Sequence, residues 1–181
     1  KRVKDFLALY RSKIHEYDEL VTGNIIFQNR MKGVGYISAE DAISFGMTGP
    51  AARGSGVSCD IRKLYPYDGY ENLQFDEILE TAGDSFARYM VRIREMQQSI
   101  RIIEQLIDNI PEGDFVAKTK AVLKLPKGEF YTRVETARGE LGVYIVSEGG
   151  TTPYRIKFRS PGFSNLSALD HMARGEKLGD L

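Results

Sequence analysis

Arg53-Gly54-Ser55-Gly56 places two glycines around a hydroxyl, directly after an arginine. Such a loop brings backbone N–H groups close to an anion, because neither glycine carries a Cβ. Its spacing matches neither a P-loop nor a dinucleotide fingerprint, so the favoured reading is a tight turn with a buried arginine bonded to carbonyl groups. Asp60 and Arg62 stand two residues apart. On an extended segment they point to opposite sides, which predicts two separate contacts in place of one ion pair. Glu135-Thr136-Ala137-Arg138-Gly139-Glu140 joins two expected strands. A carboxylate and a guanidinium at a strand end have the makings of an active-site pair, but spacing alone favours an ordinary turn with surface charges. Arg155, Lys157 and Arg159 share one strand face with no aromatic residue among them. That predicts a solvated face or a protein contact and disfavours nucleic acid. Cys59 is the single cysteine, so an internal disulfide and a multi-cysteine metal site are excluded. A small, semi-buried thiol is expected there. His15 and His171 read as surface or capping residues, not as ligands. No complete catalytic constellation is present in these residues.

The elements that position them follow from periodicity. Val3, Phe6, Leu7, Tyr10, Ile14, Tyr17 and Val21 recur at helical spacing and predict a helix over 2–22, stopped by Gly23. Asn24 caps a second piece to Arg30, and Ser38 caps a third from Ala39 to Phe45. Residues 46–70 have neither helical nor strand periodicity and read as an irregular Gly/Pro-rich connector, packed down by Tyr65, Tyr67 and Tyr70. Phe75 to Thr81 is a candidate extension of the next helix, although Gly83-Asp84 looks like a restart. From Asp84 to Ile110 two heptad rows run in parallel: Phe86, Ile93, Ile100 and Ile107, then Tyr89, Met96, Ile103 and Ile110. Asp84 caps this long helix and Pro111 ends it. Beyond Pro111 the period changes to two. Strands are predicted over 116–123, 129–136, 141–147 and 152–159, with Ser147 to Thr151 as a hairpin turn. Ser164 or Asn165 caps a last helix to Arg174, with Gly175 after it.

The 181 residues carry 25 Lys plus Arg against 25 Asp plus Glu, so no net field attracts nucleic acid or an anionic membrane. No apolar run is long enough to span a bilayer, so any membrane association comes through partners. The sequence starts inside a helical pattern and stops without a closing cap, which we read as part of a longer chain.

Several segments together resemble the D subunit of respiratory complex I. They are Ser38-Ala39-Glu40-Asp41-Ala42 through Gly46; Arg53-Gly54-Ser55-Gly56 with Asp60-Ile61-Arg62-Lys63 and Pro66-Tyr67-Asp68; and Gly83-Asp84 with Arg88-Tyr89. Then come Glu135, Arg138-Gly139-Glu140 and Gly142-Val143-Tyr144; Pro153-Tyr154-Arg155; Pro161-Gly162-Phe163; and Leu169-Asp170-His171-Met172. The order is the family's throughout, with an apparent deletion between the long helix and residue 128. Ala137 stands where the family often has proline.

This family is homologous to the large subunit of nickel–iron hydrogenases. The resemblance implies an α+β, mainly helical fold: a hydrogenase-like helical bundle with a small antiparallel sheet. All of 1–181 would be one partial domain, with helices over 1–45, the connector over 46–83, the long helix over 84–110, the sheet over 116–160 and helical structure over 164–181. It implies a part in NADH–quinone oxidoreductase, helping to form the quinone cleft against the iron–sulfur (B) subunit, peripheral on the cytoplasmic face of the bacterial inner membrane. Quinone would be the substrate, the iron–sulfur cluster would lie in that neighbouring subunit, and this chain would bind no cofactor or metal, since hydrogenase nickel needs two cysteine pairs. The B and C subunits of complex I and a membrane-arm component, H, are the implied partners, with no nucleic acid. Arg138 and Ser147 carry over as quinone-cleft or subunit-interface candidates. Arg53, Gly54, Ser55, Gly56, Asp60, Arg62 and Glu135 carry over as structural signature residues, and no catalytic residue does. The alternatives are a related membrane-bound hydrogenase-like complex, or an assembly scaffold.

Overall fold

A computed structural model describes residues 1–119 and 121–180. Helix α1 (Arg2–Tyr17) runs into a π-helical turn, Asp18–Thr22, and Gly23 follows it. Asn24 caps α2 (Ile25–Met31) by accepting from the N–H groups of Ile26 and Phe27. Ser38 caps α3 (Ala39–Ser44) through Asp41 N–H. The connector is more ordered than its composition predicts. It holds α4 (Pro50–Arg53), α5 (Ile61–Leu64) and a 3-10 turn, Tyr70–Asn72. Helices of four residues are a single turn long, too short to leave a periodic signal.

The long helix, α6, covers Ser85–Ile107, capped by the Asp84 carboxylate on Ala87 N–H. It stops short of the expected Ile110. Asn109 turns its amide back onto Gln105 O at 2.7 Å, and Pro111 disfavours helical backbone at Ile110. Residues 75–81 do not extend this helix. They run irregularly alongside it, with Gln105 and Gln98 side chains accepting from Gln74 and Asp76 N–H. Gly83, at φ +71°, makes the corner.

α1 lies antiparallel to α6. Leu7, Ile14 and Ile100 form their shared apolar seam with Tyr10 and Met96, and Arg11 pairs with Glu104 at 2.7 Å on its flank. The far heptad face stays open at Ile103 and Leu106. A second core gathers Ile37, Ala42, Met47, Ala51, Ala52 and Ala168, so α4 is packed between α3 and the C-terminal helices.

The sheet has three antiparallel strands in the order β1 (Gly128–Thr136), β2 (Gly139–Ser147) and β3 (Arg155–Arg159). The fourth expected strand, over 116–123, is absent among the described residues of that stretch, which are irregular and exposed. Alternation alone, with nothing to pair against, does not make a strand. β3 starts at Arg155 instead of Thr152. The last helix begins earlier than expected, as α7 (Pro161–Leu166), with proline in its first turn; it breaks at Ser167-Ala168 and resumes as α8 (Leu169–Ala173). No helix among the described residues is long and apolar enough to cross a membrane.

Candidate functional site: an arginine-lined cleft

Arg53 ends α4 in the connector, 1% exposed, with both ends of its guanidinium fork committed. Nη1 donates to Glu135 Oε1 at 2.9 Å, from β1, and Nη2 lies 2.5 Å from Glu95 Oε1, on α6. Its partners are thus carboxylates, not the carbonyl groups that the sequence suggested. One buried cation ties together the connector, the long helix and the sheet.

The other signature residues surround it. Gly54 lies against α6: a Cβ there would sit 2.7 Å from Arg88 Cγ and 3.1 Å from Arg88 N. Ser55 Oγ donates to Ile37 O at 2.9 Å. Gly56 turns at φ +81°. Asp60 caps α5 by accepting from Arg62 N–H, and the Arg62 side chain folds back onto the same carboxylate at 2.9 and 2.6 Å. The expectation of two separate contacts fails here. The opposed-sides rule holds for a strand, but these residues begin a helix, where cap and second residue curl together. Glu77 supports the turn from behind, accepting from Cys59 and Asp60 N–H.

Arg53 and Arg62 face a cleft of about 560 Å³ that opens between α6 and the β1–β2 hairpin, where Arg92 and Arg138 join them against Glu95 and Glu135. Arg53 Nε and, despite its ion pair, Glu95 Oε1 are buried without an aligned hydrogen-bond partner among the described residues.

Burial pushes the Glu95 and Glu135 carboxyls above the ordinary glutamate range, against the pull of Arg53. Burial acts the same way on Asp60, but hydrogen bonds and charge from Arg62 outweigh it and hold that carboxyl low. Cys59 is pushed up to about 11, mainly by burial, so its thiol stays protonated. A raised carboxyl favours the folded state at low pH, and that advantage is lost as pH rises through the folded pKa. The stability of the native chain relative to Glu95→Gln should therefore decline as pH rises above the ordinary glutamate range and through the raised folded pKa. Denaturant midpoints measured from acid to neutral pH test it; a relative stability that grows with pH would sink the assignment.

The two carried-over candidates fall at opposite ends of β2. Arg138 occupies the exposed two-residue turn of the β1–β2 hairpin, on the cleft. Ser147 is 3% exposed at the far end, where its Oγ donates to Leu125 O at 3.2 Å and accepts from Gly149 N–H at 3.1 Å. At ~3.3 Å per residue, the strand keeps them roughly 30 Å apart, so one small ligand does not touch both.

Glu95 was not anticipated. Its signal lies in the helix row Ala87, Val91, Glu95 and Ile102, at spacings of four and seven: the apolar members are buried, and a carboxylate among them needs a partner. The face holding Arg155, Lys157 and Arg159 also differs from its sequence reading. Tyr144 pairs opposite Lys157 and Tyr131 opposite Tyr144, so aromatics do stand beside the cations, contributed by neighbouring strands. His171 lies 3.6 Å from Asp41 and against Phe45, and His15 is exposed beside Glu19. No group of three or more His, Cys, Asp or Glu among the described residues is placed to hold a metal.

The profile of the family described as the respiratory-chain NADH dehydrogenase 49 kDa subunit matches residues 1–125 and 115–181. The chain belongs to this family. Its two matched segments meet over 115–125, inside the stretch where the motif register was expected to break. The C/D subunit of the NADH-quinone oxidoreductase of Bacteroides thetaiotaomicron is 52% identical over the whole chain, which covers 34% of that protein. The D 2 subunit of the Solibacter usitatus enzyme is 46% identical and the D subunit of the Desulforamulus reducens enzyme 47%, with 49% and 50% of those proteins covered. The chain thus spans a third to a half of the length of these 49 kDa-family relatives.

Proposed function

We propose that the chain is part of the quinone-reducing module of a proton-translocating NADH–quinone oxidoreductase, and that its arginine-lined cleft belongs to the face turned towards the iron–sulfur (B) subunit. The observation that carries this reading is the placement of Arg138. In a member of this family, the candidate cationic residue sits at the exposed rim of a cleft whose floor is a buried, rigid ion cluster. Arg53, held between Glu95 and Glu135, fixes the hairpin; Arg138 makes no ion pair among the described residues and can offer positive charge to a quinone headgroup or to an acidic group on the iron–sulfur subunit. Quinone reduction takes up two electrons and two protons. The electrons would come from the cluster in that neighbouring subunit, and this chain would bind no redox cofactor of its own.

The relatives' names support NADH–quinone oxidoreductase over a hydrogenase-like complex, and the C/D fusions among them support the C subunit as a neighbour. Contacts with a membrane-arm component, H, would place the protein on the cytoplasmic face of the inner membrane. Ser147, buried at the far end of β2, is assigned to hold the 125–127 segment for a subunit contact there, not to the quinone. Arg138→Glu in the full-length protein tests the reading. Folding should be unchanged because the side chain is exposed. Quinone reduction by the assembled complex should fall at least about tenfold, since one charge reversal at a close pair is worth over a kcal/mol, while NADH oxidation by a soluble artificial acceptor persists. Undiminished quinone reduction would reject the assignment and favour a scaffold role.

A further inference from the structure

Among the described residues, the sheet is tied to the connector only at the Arg133–Glu135 end of its β1 edge, and its β3 edge is bare along its whole length. At the β1 edge, Glu135 N–H donates to Tyr67 Oη at 3.0 Å, the Glu135 carboxylate accepts from Ile61 N–H, and the Arg133 guanidinium lies over the Tyr65 ring. β3 forms the other edge and, among the described residues, pairs only with β2. Among the described residues, no other backbone group and no side chain bonds to the backbone of Arg155–Arg159. Alternate N–H and C=O groups of β3 therefore point outwards, a ready template for another strand.

The two faces beside this edge carry different chemistry. On one, Arg155 and Lys157 are exposed and make no ion pair among the described residues, next to Tyr144 and Tyr131. Arg159, on the same face, is already used: it donates to Thr48 Oγ1, Glu140 O and Gly46 O at 2.9, 2.7 and 2.7 Å. On the opposite face Ile156 and Phe158 are 45% and 66% exposed, continuing the cross-strand rows Phe130–Ile145–Ile156 and Thr132–Val143–Phe158. A strand laid along this edge continues both patterns. Its residues beside Arg155 and Lys157 need negative charge, and those beside Ile156 and Phe158 need apolar bulk. A second copy of the chain does not fit. Antiparallel self-pairing of β3 centred on Lys157 sets Lys157 against Lys157 and Arg155 against Arg159, and like charges directly opposite are unfavourable.

We propose that the free edge of β3 accepts, as a fourth strand, an extended segment of a partner protein in which acidic and apolar residues alternate. Main-chain hydrogen bonds would supply affinity and the two faces the selectivity. The edge would take such a strand whatever redox chemistry the assembly performs.

The test uses the full-length polypeptide and two synthetic probes of about nine residues, one alternating aspartate with valine and one alternating lysine with valine. Nine residues span the edge at strand rise. Amide hydrogen exchange at 155–159 should be fast in the polypeptide alone and slow at least tenfold with the aspartate probe. Lys157→Glu, exposed and so harmless to folding, should weaken the aspartate probe at least tenfold and create binding of the lysine probe. Slow exchange at 155–159 in the polypeptide alone would overturn the proposal, because its own chain would then cover the edge. So would the absence of binding by the aspartate probe, or equal binding before and after the substitution.

Discussion

Replacing Arg53 by methionine is expected to lower the folding stability by about 3–5 kcal/mol, the usual cost of stripping one partner from a buried ion pair. The reason is not the lost attraction alone. Glu95 and Glu135 would remain in a site where burial already raises their pKa, with no cation beside them. A domain of this size holds roughly 5–15 kcal/mol in total, so the variant would sit near the unfolding threshold. Arg53→Lys keeps the charge but not the planar fork that reaches α6 and β1 at once, and should recover only part of the loss. Adding Glu95→Gln and Glu135→Gln to Arg53→Met removes the stranded charges and should restore some of the stability, so the effects will not add. Denaturant midpoints of the four proteins measure this. A loss below about 1 kcal/mol for Arg53→Met would show that the cluster contributes no more than a surface pair.

That cluster also marks how far the sequence was legible. The starts of α2, α3 and α6 were, because Asn24, Ser38 and Asp84 are caps whose side chains act within three residues. The alternation of β1 and β3 and the apolar run of β2 were legible for the same reason: they are local. A buried arginine at position 53 was foreseen from the glycines packed around it, but its partners were not, since Glu95 and Glu135 reach it through tertiary packing of α6 and β1. Local spacing misled at Asp60 and Arg62, where a single helical turn replaced the extended backbone assumed for them. It failed again at 116–123, where alternating residues found no strand to join. Cross-strand neighbours such as Tyr144 and Lys157 depend on register, which the turn between β2 and β3 sets and composition does not.

The contact that seats the β1–β2 hairpin on the connector is between backbones, and it yields the second large effect. Gly49 and Gly139 meet where the connector supports the β1–β2 hairpin. A Cβ on Gly49 would lie 2.4 Å from Gly139 Cα, and one on Gly139 would lie 2.6 Å from Thr48 Oγ1 and 2.8 Å from Thr48 C. Both glycines also have positive φ, +68° and +126°. Alanine at either position should therefore cost about 2–4 kcal/mol, combining backbone strain of about 1 kcal/mol with an overpacked contact that no side-chain rotation relieves. Gly46 separates the two causes. It has φ +66° in the same segment, but a Cβ there meets nothing within 4 Å. Gly46→Ala should thus show the strain alone, about 1 kcal/mol. The excess at Gly49 and Gly139 then measures the close approach. If all three variants lose the same stability, the hairpin does not rest on the connector as described. If the excess appears, it should come with altered protection of Glu140 N–H, which donates to Thr48 Oγ1 at 3.1 Å, because the hairpin must lift to admit a methyl group. Lifting the hairpin moves Glu135 away from Arg53 as well. The glycine contact and the ion cluster are then coupled, and combining Gly139→Ala with Arg53→Met should cost less than the two losses added together.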